Sequence, residues 1–148
     1  MRRTFSAAAL QQTPKLGGFR LPQVASGVYP VYTHGMLDEI HRRLAAASGF
    51  DWDDGNRPKL RSRHAVEPGE CEQAFFGEPF LVSFDASHSA DEPRWRALGQ
   101  SAAVRPLFVV FTLRGSLIRV LAARPMTRKV RVIYAHAEAR HEKGDPPL

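Results

Sequence analysis

One cysteine, Cys71, stands in a chain of 148 residues, so neither an internal disulfide nor a cysteine-based zinc cluster can form. A solitary thiol suits a reducing, cytoplasmic setting, and the simplest role for Cys71 is a small buried apolar side chain. No run approaches the roughly 18 apolar residues of a membrane helix. The apolar patch at the start, Phe5 to Leu10, is six residues long, shorter than the roughly 7–15 of a secretory signal. No H-E-x-x-H or other metal-ligand spacing occurs, and neither does a glycine-rich phosphate loop: Gly17 and Gly18 are isolated and Gly115 serves a hairpin. Metal-dependent hydrolases of the common motifs and P-loop or Rossmann nucleotide enzymes are therefore disfavoured.

One further absence is regional. From Pro93 to Tyr134 there is no acid, against nine Lys/Arg: Arg94, Arg96, Arg105, Arg114, Arg119, Arg124, Arg128, Lys129 and Arg131. From Phe50 to Glu92 the balance reverses, with ten Asp/Glu and four Lys/Arg. The whole chain carries a formal net charge of +6. A stretch of about 40 residues with one sign suggests a surface facing phosphate. The competing reading is a basic half neutralised by the acidic half of the same chain.

Residues 1–35 hold four Lys/Arg, no acid, three prolines and four glycines without sustained periodicity, and read as a loose extension. Met36 can also serve as the translation start, with residues 1–35 upstream of it. Residues 36–48 form a short amphipathic helix on the spacing of Leu37, Ile40 and Leu44. The main domain spans 49–140, with 141–148 as a frayed tail. Phe50 to Trp52 is a short strand, Asp53 a cap for a helix over about 55–63, and 68–76 a second helix stopped by Gly77. Four strands follow, at 79–85, 94–100, 105–114 and 117–124, joined by short turns that imply antiparallel hairpins. Leu107 to Thr112 is apolar almost throughout, as in a central strand covered on both faces. A last helix begins after Thr127. The sum is an α+β domain: a small antiparallel sheet of four to five strands, two N-terminal helices and a C-terminal helix.

Histidine is the usual proton-transfer group near neutral pH. Of the six histidines, His64 at a helix end and His88 in a turn occupy positions where side chains more often have functions; the others read as surface. The segment "DASHSADEPRWR" (85–96) places His88, Glu92, Arg94 and Arg96 around a hairpin turn. Arg119, amid apolar neighbours, needs a partner, either Glu92 or an aspartate of the first strand, unless its strand has one wet face. RNA cleavage without a metal needs a base for the 2′-hydroxyl, an acid for the 5′-oxygen and cations for the charge growing on phosphorus. Arginine suits the last task because its planar fork matches phosphate oxygens.

Four segments taken in order, "FDWDDGNRPKLRSRHAV", "DASHSADEPRWRALG", "RPLFVVFT" and "IRVLAARPMTRKVRVIY", resemble the BrnT family of ribonuclease toxins over about residues 49–137. The marks are Phe50-x-Trp52-Asp53, Arg63-His64, His88-Ser89 with Glu92 and Arg94, Gly99, Phe111-Thr112, Arg119, and Ala123-Arg124 with Met126 and Tyr134. The resemblance implies a RelE-like fold and RNA cleavage without a metal or other cofactor. It also implies a cognate antitoxin, usually carrying a ribbon–helix–helix DNA-binding domain, through which alone operator DNA is met. The catalytic set it points to is His64, Glu92, Arg94, Arg119 and Arg124, with Arg63, Arg96, Arg128, Lys129 and Tyr134 along the RNA and no membrane contact. The chain departs from the family pattern at Ala122, where Ser is usual, at Val130, where Glu is usual, and at Ala65, where Gly is frequent. The departure at Val130 keeps a second reading open, that of a degenerate, non-catalytic homologue that binds an antitoxin or RNA.

Overall fold

The computed structural model of the protein describes residues 2–4 and 34–144. Strand β1 is Arg2–Thr4. Helix α1 (His34–Ala45) leads into β2 (Gly49–Asp51), α2 (Arg57–His64) and α3 (Pro68–Ala74). Strands β3 (Leu81–Phe84), β4 (Trp95–Gln100), β5 (Pro106–Arg114) and β6 (Leu117–Pro125) follow, and α4 (Arg128–Glu142) closes the order. The strands form one sheet in the order β1-β2-β6-β5-β4-β3. The expected α+β class and the run of hairpins are present. One pairing departs from the all-antiparallel expectation: β2 lies parallel to β6, with Phe50 opposite Ile118. Two helices lie between β2 and the rest of the sheet, which gives the chain the length a parallel return requires. The expected loose extension and tail fall largely on 5–33 and 145–148, outside the described residues. Residues 2–4 pair with β2.

The two faces of the sheet are covered differently. The inner face carries Trp95, Ala97, Leu107, Val109, Phe111, Ile118, Val120 and Ala123, packed against Ile40 and Leu44 of α1, Leu60 of α2 and Cys71 and Ala74 of α3. Phe75 stands at its centre, with ring centroids 5.4 Å from Phe50, 5.2 Å from Phe80 and 5.1 Å from Phe111. The pairs with Phe50 and Phe111 are edge-to-face, a geometry that adds to the area they bury. Cys71 is fully buried, as expected of a structural thiol, and burial pushes its pKa up to about 12. Gly99 allows the close approach of α3, because a Cβ there would sit 2.5 Å from the Ala74 carbonyl oxygen.

The outer face is covered by α4 at one end only. Tyr134, Ala137 and Val130 of α4 pack there on Leu81, Leu98 and Phe108, with Met126. Thr127 caps the helix by accepting from the Val130 N–H. Between β5 and β6 the register slips by one residue, Val110 facing Ala122 but Phe111 facing Val120. Leu121 is the extra residue of a β-bulge, which interrupts the two-residue alternation of the strand.

Candidate functional site

Cross-strand register sorts the outer-face residues into three rows. Ser83, Arg96, Val110 and Ala122 form the middle row. Leu81, Leu98, Phe108 and Arg124 form the row under α4. The third row follows from neighbouring pairs: Thr112 faces Arg119, Asp51 lies beside Arg119, Arg94 lies beside Thr112, and the Asp85 N–H donates to the Arg94 carbonyl at 2.8 Å. Arg94, Arg96, Arg119 and Arg124 thus occupy one sheet face. Ser89 Oγ, accepting from the Arg94 N–H at 2.9 Å and donating to the Asp85 carbonyl at 2.6 Å, fixes the turn that carries His88 and Glu92.

The nine cations of the basic half divide into two groups. Arg96 pairs with Asp85, Arg105 with Glu70, Arg114 with Glu92, and Arg119 with Asp53 and Asp51. Among the described residues, Arg94, Arg124, Arg128, Lys129 and Arg131 have no ion pair. Arg124 lies over the Phe108 ring, 4.5 Å from its centroid, a cation–π contact that leaves its guanidinium edge open. Arg94 is half-buried, and its Nε is buried with no partner. Arg128, Lys129 and Arg131 crowd the first turn of α4, which contains no acid. Cations there oppose the helix dipole, at a cost of roughly 0.3–1 kcal/mol each.

Several expected site residues hold other positions. Arg119 is 9% exposed and donates to Asp53 Oδ2 at 2.9 Å and Oδ1 at 3.1 Å, with Asp51 at 3.5 Å. Its main partner is Asp53, in the loop just after β2, and the first-strand aspartate Asp51 is the more distant second carboxylate, so Arg119 braces β6 against that loop rather than presenting a free charge. The Arg119 hydrogen bond is the main cause that holds the Asp53 carboxyl down at about 2. Asp53 also accepts from the Gly55 and Asn56 N–H groups, so it caps the turn ahead of α2, which itself starts at Arg57. Tyr134 is 2% exposed and its hydroxyl donates to the Pro79 carbonyl at 2.7 Å. It therefore ties α4 to the sheet and offers no ring to a ligand; burial pushes its phenol pKa up. His64 is not brought to the arginines. It ends α2, a helix on the inner face, and its carbonyl accepts from Arg105 at the start of β5. Arg94 precedes β4 at the sheet's opposite end, roughly 20 Å along the strands at ~3.3 Å per residue. Arg63 is on that same remote helix end.

Sequence reasoning passed over Asp85. It is 3% exposed and accepts hydrogen bonds from Arg96, from Ser87 Oγ at 2.8 Å and from His88 Nδ1 at 3.0 Å. Burial alone would raise its pKa, but these hydrogen bonds and the Arg96 charge outweigh that and hold it at about 2. The available signal was an acid closing an apolar strand, three residues ahead of a histidine.

This is a small α+β protein whose sheet is packed dry on one face and carries four arginines on the other. The family can be stated more narrowly. The sequence model described as "Ribonuclease toxin, BrnT, of type II toxin-antitoxin system" matches residues 52–129, just over half of the chain, and the protein belongs to that family. A type II system pairs each toxin with an antitoxin, so an antitoxin partner comes with the family. Among curated proteins, none matches the chain. No helix among the described residues is long and apolar enough to cross a membrane.

Proposed function

We propose that the protein is a metal-independent endoribonuclease toxin, cytoplasmic, inhibiting growth by cutting RNA on the outer face of its sheet and held in check by a ribbon–helix–helix antitoxin. Operator DNA is then met only through that antitoxin. The observation that carries the reading is the division among the cations: Arg94 and Arg124 lie without acidic partners on the outer face, Arg94 at its open end and Arg124 in the row next to α4, whose first turn carries Arg128 and Lys129. Backbone phosphate is the ligand class that best satisfies unpaired arginines in a row-like array. Arg94 and Arg124 stand four residues apart along the sheet and two strands apart across it, so they hold different phosphates of a strand rather than one. Glu92, fixed at the rim by Arg114, borders the same face and remains a candidate acid.

One observation favours a second reading, the non-catalytic homologue. Val130 stands where the family usually has Glu. Yet Thr127 is the cap and Val130 the third residue of α4, the spacing at which a Glu completes a reciprocal capping box. The usual Glu thus has a structural task at this position, which weakens the inference from its loss to inactivity.

The test is induced expression of the full chain in a host without the antitoxin, beside Arg94→Ala/Arg124→Ala. Growth arrest with fragmented RNA in the parent alone is the expected result. Normal growth and intact RNA from soluble, folded parent protein would select the binding module instead.

A further inference from the structure

We propose that His88, oriented by the buried Asp85 carboxylate, is the catalytic base of this site, with Asp85 as its positioning residue. This rests on the endoribonuclease reading above.

Asp85 continues the β3 ladder by its N–H to Arg94, and so stands on the outer face in the same row as Arg94. Its carboxylate is buried while the His88 side chain is 64% exposed. One edge of the imidazole is held, with Nδ1 at 3.0 Å and 3.2 Å from the two carboxylate oxygens and 3.0 Å from Ser87 Oγ. A neutral imidazole that donates from Nδ1 leaves Nε2 as an acceptor, and here the opposite edge of the ring is turned to solvent. This is the arrangement of an oriented general base: a carboxylate that cannot leave, a fixed tautomer and a free second nitrogen. The charged groups facing the ring are Asp85 and, through the same carboxylate, Arg96, whose guanidinium donates to Asp85 and Ser87. Arg96 and Arg94 bring positive charge to the same corner. None of this holds for His64, whose helix end lies at the far end of the sheet.

In the reaction, Nε2 of His88 takes the proton of an RNA 2′-hydroxyl. The 2′-oxygen attacks the adjacent phosphorus, the P–O5′ bond breaks, and Arg94 and Arg96 face the charge on the non-bridging oxygens. Water protonates the departing 5′-oxygen, and the resulting hydroxide takes the proton back from His88. A 2′,3′-cyclic phosphate and a 5′-hydroxyl remain, and the imidazole is neutral again.

The experiment is single-turnover cleavage of a defined RNA by purified full-length protein, with RNA affinity measured on the same samples. His88→Ala and His88→Gln should cleave roughly 10²–10⁴-fold more slowly. Both should bind RNA within about twofold of the parent, and added imidazole should restore part of the rate of His88→Ala. Because His88 is exposed, these variants keep the fold, and Gln keeps a hydrogen bond to Asp85. Asp85→Asn should lose at least about tenfold in rate and respond to imidazole far less. His64→Ala should cleave as the parent does. If the parent cleaves and His88→Ala cleaves equally fast, or if its loss follows loss of RNA binding, the dyad is overturned while the ribonuclease reading stands. If the folded parent cleaves no RNA, both fall.

Discussion

The inner face of the sheet meets three helices through aromatic and aliphatic side chains, and strands β2 to β6 each contribute buried residues to it. The outer face meets one helix at one end and leaves two rows uncovered, which between them hold Arg94, Arg96 and Arg119. The same strands build both faces by alternation, so a substitution one residue along moves from the stability of the domain to its surface chemistry. What differs between the faces is where each side chain's partner is found. Inner-face residues are satisfied within the chain. On the outer face, Arg119 and Arg96 are satisfied by Asp53 and Asp85, whereas Arg94 and Arg124 are not.

This contrast can be pressed from the strong side to the weak. Phe75→Ala removes the ring at the centre of the inner core and should cost about 3–5 kcal/mol in chemical denaturation; a loss under about 1 kcal/mol would mean the core repacks around the gap. Next comes pH. The Asp85 carboxyl has its pKa depressed from 3.8 to about 2, so its contribution is complete above about pH 4 and is lost as pH falls through about 2. At ~1.4 kcal/mol per pKa unit this is about 2 kcal/mol. Asp85→Asn should flatten the stability profile between pH 4 and 2, which denaturation midpoints at three pH values would reveal. A smaller effect of opposite sign is expected at Ala65, which ends α2 with φ at 50°, in the left-handed region. Ala65→Gly should stabilise by about 1 kcal/mol, seen as a rise in Tm, since glycine adopts this backbone without steric cost. Smallest of all, Arg124→Ala should cost no more than about 0.5–1 kcal/mol, the scale of its cation–π contact with Phe108, while weakening RNA binding, because its guanidinium has no acidic partner to lose. Equal losses of stability from Arg124→Ala and Phe75→Ala would erase the distinction between the faces.

The parts legible in the sequence are those fixed by near neighbours. The hairpins from 79 to 124 follow from apolar runs separated by short turns, and the helix after Thr127 from its cap. Gly99 was visible as a residue shared with the family, and its reason, the Ala74 carbonyl pressed against it, is a tertiary fact. The parallel β2–β6 pairing was hidden because nothing local in Phe50 or Ile118 names the other. The fate of the charges was half legible: Arg119 among apolar neighbours pointed to an acidic partner, Glu92 or an aspartate, or to a wet strand face, but a basic run does not say which members are already paired. The positions of Tyr134 and His64 in the fold were illegible for one reason. A polar atom on an aromatic ring, or a histidine at a helix end, looks the same in sequence whether the fold turns it inward, outward or away.

The bulge at Leu121 deserves a last consequence. Arg119 and Arg124 are five residues apart, and in a regular strand an odd separation would put them on opposite faces. The one extra residue returns Arg124 to the open side. The length of this segment is therefore as much a heritable trait as its composition. In a library of single-residue deletions, loss of Leu121 or Ala122 would leave Arg119 and Arg124 four apart in a regular strand and still on one face, so the bulge could be lost without turning Arg124 over.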